Sequence, residues 1–310
     1  MMRAFVFPGQ GAQTIGMGRE LAEAYPAAMD VFHEVDEALG EDLSKLIWDG
    51  EIEELTLTRN AQPALMACSM AAFRALEAEG FGINDADYVA GHSLGEYSAL
   101  CASGALSLSD TARLLRLRGQ AMQDAVPVGI GAMAAILGLD FATVDEIARE
   151  ASGDEVCQAA NDNDPAQVVI SGHKDAVERA AALAKERGAK RALMLPVSAP
   201  FHSVLMQPAA AAMADALAAV EIQAPAVPVI ANVRAEPVIE PGAIRILLVE
   251  QVTGSVRWRE SIEFLSGAGV TEFWEIGAGK ALSGMIKRIS KDATTRAIGT
   301  PADIAALKGA

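Results

Sequence analysis

Aromatic side chains, cysteines and positive charge are all scarce in this chain, and each scarcity excludes something. Phe, Tyr and Trp make up 5% of the residues while 51% are hydrophobic, so the core is aliphatic, built of Ala, Leu, Val, Ile and Met. The three cysteines, Cys68, Cys101 and Cys157, are far apart and odd in number. They have no C-x-x-C or metal-ligand spacing. This argues against a disulfide framework and leads us to expect buried free thiols in a reducing compartment. Asp and Glu outnumber Lys and Arg by 41 to 25, a formal net charge of −16. That balance disfavours nonspecific binding to nucleic acid or an anionic membrane. It leaves room for a small anionic substrate, which needs only a local basic group. No uncharged apolar run reaches the length of a membrane span. The residues ahead of Pro8-Gly9, Ala4-Phe5-Val6-Phe7, are too few for a signal-peptide core. A cytoplasmic protein is the expectation.

What is present is an alternation of strand and helix patterns. The length of 310 residues allows about two domains. Residues 4–7 predict a buried first strand, followed by the loop Pro8-Gly9-Gln10-Gly11-Ala12-Gln13. Helical patterns cover 17–25 and 27–39. A long one runs over 61–79, with Leu65, Met66, Met70, Phe73 and Leu76 on one face. Tyr88-Val89-Ala90 reads as a strand, and Ser109-Asp110 as the N-cap region of a helix through Gln123.

Residues 131–195 have their own order. Strand 131–139, helix 143–151, strands 156–160 and 167–171 around an Asn/Asp/Pro turn, helix 174–187 and strand 192–195 form a β-α-β-β-α-β unit, the ferredoxin-like pattern. Val126-Pro127-Val128-Gly129 and residues 196–200 bracket it. After it come helices within 206–220, 243–252 and 258–267, strands at 228–233 and 272–276, and a last helix and short strand near Ala297-Ile298. The fold class expected is α/β. A large hydrolase-like domain with a mostly parallel sheet spans 1–126 and 198–310, and a small ferredoxin-like domain is inserted at 127–197.

The chemistry is concentrated in Gly91-His92-Ser93-Leu94-Gly95. A short apolar strand precedes it and an Ala-rich helix follows, which is the context of a nucleophile elbow. A serine on such a turn is raised clear of the sheet, and the helix N-terminus beneath favours negative charge near it. It is suited to attack a carbonyl and form an acyl-enzyme.

Ser93 needs a base, and the chain has four histidines. His33 lies in an early helix and is assigned to the surface. His173 follows Ser171-Gly172 and is assigned to capping the next helix. His92 adjoins the nucleophile, but neighbours on a tight turn point apart. His202 remains, in Ser198-Ala199-Pro200-Phe201-His202-Ser203, where the chain re-enters the large domain. The residues alone allow either a base or a satisfied structural histidine there. They likewise leave Gly9-Gln10-Gly11 as a plain tight turn. Arg118 could equally be a surface arginine on a helix with Arg113 and Arg116.

Taken together, Phe7-Pro8-Gly9-Gln10-Gly11-Ala12-Gln13, Gly91-His92-Ser93-Leu94-Gly95-Glu96-Tyr97, Arg118-Gly119-Gln120-Ala121-Met122, Pro200-Phe201-His202-Ser203 and Glu275-Ile276-Gly277-Ala278-Gly279 resemble the malonyl-CoA:acyl carrier protein transacylase family. The likeness runs along essentially the whole chain, with the motifs in family order. It implies the stand-alone enzyme of bacterial type II fatty acid synthesis. Ser93 then matches the malonylated nucleophile and His202 its general base. Gln251 matches the position whose backbone carbonyl orients that histidine in place of a carboxylate. Gln10 and Leu94 match the two backbone N–H donors of the oxyanion hole. Arg118 matches the residue that grips the malonyl carboxylate, and Met122 belongs to the same substrate-binding stretch. Phe201 occupies the place of a bulky aromatic that crowds branched acyl groups, and Asn163 that of a small-domain residue lining the cleft. Family members commonly carry Asn-Pro where this chain has Gly254-Ser255.

The resemblance implies malonyl-CoA and an acidic acyl carrier protein as partners and no metal or redox cofactor. Basic candidates for carrier docking are Lys185, Arg187, Lys190 and Arg191, and Lys280, Lys287 and Arg288; a solvated basic face accounts for them equally. Three rival readings are a serine hydrolase that passes its acyl group to water, a catalytically silent docking module, and an acyltransferase loading a polyketide or malonate-decarboxylase carrier.

Overall fold

A computed structural model describes residues 2–197 and 199–308 of the chain. Ten strands fall into two sheets. In chain order they are β1 (Met2–Phe7), β2 (Tyr88–Gly91), β3 (Gly131–Leu137), β4 (Cys157–Asp164), β5 (Gln167–His173), β6 (Arg191–Met194), β7 (Val229–Ala231), β8 (Glu236–Val238), β9 (Val270–Ile276) and β10 (Thr294–Ile298).

The larger sheet has the order β10-β9-β1-β2-β7-β8. It is parallel except for β8, which runs antiparallel to β7. Alternation along its central strands feeds two cores. Phe5, Phe7, Val89 and Val229 join one with the helix Thr58–Ala78. Ala4, Val6, Ala90 and Ile230 join the other, against Trp258, Ile262 and Phe273. The few aromatics are used centrally: Phe5 stacks on Trp274 with ring centroids 5.3 Å apart.

The smaller sheet, β4-β5-β3-β6, is wholly antiparallel, as a ferredoxin-like unit requires. One face carries Ile136, Val168 and Ile170 against the helices Phe141–Ser152 and Lys174–Glu186, a core of its own. The opposite face sends Met133, Ala135 and Val169 into the core of the large sheet. The expected boundary at Ser198 lies outside the described residues.

Several local expectations are corrected. The turn expected within Asn161-Asp162-Asn163-Asp164-Pro165 is strand as far as Asp164. These four polar residues are buried, and their partners explain it. Asp162 accepts from Arg259 at 2.8 Å and Asp164 from Arg288 at 2.8 Å, so the carboxylates face the large sheet's helices instead of water. Ser107 caps the helix Leu108–Asp124 two residues before the expected Ser109. Short helices at Leu43–Asp49 and Ile52–Thr56, strand β8 and a final helix Pro301–Leu307 were not anticipated. All three cysteines are free and buried, as expected. Among the described residues no helix is long and apolar enough to cross a membrane.

Candidate active site

Adjacent strands β1 and β2 end side by side, with Phe7 opposite Gly91. Their following loops therefore emerge together at the carboxyl edge of the sheet, where α/β folds place ligands. The elbow after β2 turns sharply into the helix Gly95–Ala102. Ser93 has φ 54°, in the left-handed region. A Cβ on Gly95 would stand 2.3 Å from the Phe7 carbonyl oxygen, so only glycine lets this helix pass the end of β1.

Across the elbow, Ser93 Oγ and His202 Nε2 are 2.8 Å apart. His202 Nδ1 lies 2.9 Å from the Gln251 carbonyl oxygen. A carbonyl only accepts, so Nδ1 carries the proton and Nε2 is free to accept from the serine hydroxyl. His202 is itself in left-handed backbone, φ 57°, and is buried. Burial, reinforced by the positive charge of Arg118, pulls its pKa down to about 3. The imidazole is neutral near neutral pH and able to take a proton.

The backbone N–H groups of Gln10 and Leu94 donate to no other group among the described residues. They lie on the two loops that flank Ser93, as a pair of oxyanion donors must. A cleft of about 520 Å³ opens beside Gln10, bounded by Thr58, Gly131, Ala132 and residues 194–197. It lies where the two sheets' connections meet.

Arg118 is no surface residue; it is buried. It sits on the helix Leu108–Asp124, which crosses Thr58–Ala78 closely. A Cβ on Gly119 would lie 2.6 Å from the Thr58 carbonyl oxygen. Arg118 Nη1 donates to Gln62 Oε1 at 2.8 Å, and Nη2 donates to Gln251 Oε1 at 2.8 Å and to Ser93 Oγ at 3.2 Å. Its Cζ is 5.6 Å from the Tyr97 ring centroid. Among the described residues no carboxylate bonds it directly. A buried guanidinium held only by neutral acceptors is set to receive an anion. Met122, one turn on, takes a 3.7 Å contact from Gln62 Nε2 through its sulfur, so it backs Gln62. Phe201 packs in the core beside His202.

The other histidines sort as follows. His33 is exposed, as expected. His92 points away from Ser93, with Nε2 2.8 Å from Asn163 Oδ1. Asn163 is thereby placed against the elbow from β4. His173 stands at the N-cap of Lys174–Glu186, but its side chain does not cap that helix; Nδ1 instead accepts from the Val156 N–H at 2.9 Å.

Three polar residues of the site carry no assignment in the sequence reading. Asn232, directly after β7, accepts from the Ser93 N–H at 2.8 Å and donates to the Gly91 carbonyl at 2.7 Å. Glu96 is buried, and burial pushes its pKa up to about 7. Gln62 is the third. Glu96 carried a signal, a lone acid inside an apolar helix; Asn232 and Gln62 carried none. Of the basic docking candidates, two are already paired: Arg187 with Glu146 and Glu150, and Arg288 with Asp164. Lys185, Lys190, Arg191, Lys280 and Lys287 are exposed.

Comparison with known proteins identifies the family. The acyl transferase domain family matches residues 4–294. The malonyl CoA-acyl carrier protein transacylase of Bacillus subtilis is 50% identical over 302 residues, 97% of this chain and 94% of that protein. The crystal structure of an acyl-carrier-protein-S-malonyltransferase from Bartonella henselae has a TM-score of 0.97 at 56% identity, covering 100% of this chain and 99% of that one. A malonyl-transacylase solved in complex with a type II PKS acyl-carrier protein gives a TM-score of 0.96 at 43% identity, with 100% of both chains covered. The chain belongs to the malonyl CoA-acyl carrier protein transacylase family of acyltransferases.

Proposed function

We propose that the chain moves a malonyl group from malonyl-CoA to the phosphopantetheine thiol of acyl carrier protein, in fatty acid synthesis. The observation that carries this reading is Arg118: a buried guanidinium 3.2 Å from the Ser93 hydroxyl, with neutral acceptors only. An acyl group ending in a carboxylate fits it through two parallel hydrogen bonds, and acetyl does not.

In the first half-reaction Ser93 Oγ attacks the thioester carbonyl carbon while His202 Nε2 takes its proton. The N–H groups of Gln10 and Leu94 receive the oxyanion. The C–S bond breaks, and the leaving thiolate takes the proton from His202. The carrier's thiol then gives its proton to His202 and attacks the malonyl-serine ester, and Ser93 leaves with that proton. The Gln251 carbonyl keeps the imidazole in one tautomer throughout. Phe201 limits the acyl pocket to unbranched groups, and Asn163 steadies the elbow through His92. The reading asks for no metal or redox cofactor, takes residues 127–197 as the inserted unit, and places the protein in the cytoplasm.

Labelled malonyl-CoA incubated with the purified protein tests it. Label on the Ser93 peptide, passing to the carrier when that is added and absent in Ser93→Ala, is the expected result. Prompt release of free malonate without carrier would make the protein a hydrolase. Equal transfer to a polyketide carrier would widen the pathway assignment.

A further inference from the structure

Behind the nucleophile lies a buried polar cluster that the transfer steps do not use. The Gln251 side-chain amide is its centre. Nε2 has two hydrogens and faces three acceptors: Glu96 Oε2 at 2.8 Å, Ser93 O at 2.9 Å and Asn232 Oδ1 at 3.4 Å. The other end of the amide, Oε1, accepts from Arg118 Nη2 at 2.8 Å. Glu96 Oε2 also accepts from the Asn232 backbone N–H at 3.0 Å.

A primary amide is nearly the same shape after a half-turn, but its donor and acceptor ends exchange. Only its partners decide which way it faces. An ionised carboxylate can only accept, and the neutral acid still offers its carbonyl oxygen, so in either state Glu96 draws the NH2 end to itself and leaves the oxygen facing Arg118. We infer that Glu96 is a positioning residue for recognition of the acyl carboxylate, acting through the Gln251 amide to aim the Arg118 guanidinium. The inference rests on the malonyl reading above. With no acceptor at position 96, Nε2 keeps only Ser93 O at 2.9 Å and the long contact to Asn232 Oδ1 at 3.4 Å, so the amide is held less firmly and its turned state, with NH2 against the guanidinium N–H groups, gains population. Two donors then face each other, and Arg118 leaves its place. The Ser93–His202 pair has its own bond, and His202 is held by the backbone of Gln251, so acyl groups that do not need Arg118 suffer less.

The test compares acylation of Ser93 by malonyl-CoA and by acetyl-CoA, read as kcat/KM for release of CoA thiol, in the full chain. Glu96→Met, close in volume but without acceptors, should lower the malonyl-to-acetyl ratio about ten-fold or more, the effect of one buried hydrogen bond to a charged group. Glu96→Gln keeps an acceptor oxygen there and should recover most of the ratio. Gln251→Met keeps the backbone carbonyl and should reproduce the loss, and the Glu96→Met/Gln251→Met double variant should lose no more than either alone. Equal losses for both acyl groups in Glu96→Met, or failure of Glu96→Gln to recover the ratio, would overturn the inference. If Glu96→Met does not fold, Gln251→Met decides alone: an unchanged ratio there overturns it. A wild-type protein with no preference for malonyl would instead overturn the malonyl reading.

Discussion

Arg118 donates to Ser93 Oγ at 3.2 Å from the same nitrogen, Nη2, that donates to Gln251. The buried guanidinium and the serine hydroxyl are thus tied in one frame, which on the proposed function joins the group that reads the far end of the acyl chain to the group that carries its near end.

Removing Arg118 should therefore separate two substrates. In Arg118→Ala, acylation by malonyl-CoA is expected to fall by about a hundred-fold or more, the discrimination lost with a buried charged partner. Acetyl-CoA should be handled about as before, or better. Release of CoA thiol with each substrate measures both. Equal losses would deprive Arg118 of its specificity role.

With His202 as the proposed base, its depressed pKa should set the acid limit of the reaction. An ordinary histidine would protonate near pH 6.5 and lose its acceptor there. Burial, and after it Arg118, hold His202 down to about 3. Loading of Ser93, followed by rapid quench, should stay level from pH 8 down to about pH 5. In Arg118→Ala one of the two main causes of the shift is gone, so the acid limb should move up in pH. A limb near 6.5 in the wild type would contradict the neutral, buried imidazole.

Glu96 gives a stability signature of its own. Burial holds its pKa up at about 7 in the folded chain, against the ordinary 4.5 of an exposed glutamate. Between these values the folded state binds the proton more readily than the unfolded state, so this group's contribution falls as pH rises through that window. The glutamine in Glu96→Gln has no such cost. Relative to wild type, Glu96→Gln should gain stability between pH 5 and pH 8, by a few kcal/mol at most, in urea midpoints taken at each pH. His202 works in the opposite direction. Its folded pKa lies below the unfolded one, so its contribution is lost as pH falls below about 6.5. Only the comparison between the two proteins isolates Glu96. A difference that does not change with pH would mean that Glu96 titrates normally.

Much of this site was legible because its demands are local. Gly91 and Gly95 around a serine, between an apolar strand and an Ala-rich helix, announce the elbow without any long-range information. The ferredoxin-like order of residues 131–195 was readable for the same reason, since each element carries its own periodicity. The Asn161–Asp164 stretch misled because its composition is that of a turn. It is strand by pairing with β5, and what lets its carboxylates be buried there is charge pairing with Arg259 and Arg288, residues 97 and 124 positions away, which no window reveals. Asn232 and Gln62 were invisible on the same grounds. Each is ordinary where it stands in the chain and acquires meaning only when β7 or the helix Thr58–Ala78 is packed beside the elbow. Arg118 was ambiguous on its residues alone; the family resemblance of Arg118-Gly119-Gln120 decided in favour of a binding role, while its burial and the close helix crossing at Gly119 are visible only in the structure.

Both reacting side chains hang from backbone in the left-handed region, Ser93 at φ 54° and His202 at φ 57°. Non-glycine residues avoid this conformation by about 1 kcal/mol or more each. Neither segment would hold that shape on its own, and the two lie 109 positions apart. The dyad is thus a product of assembly: loosening either sheet should silence the chemistry before the molecule has visibly come apart.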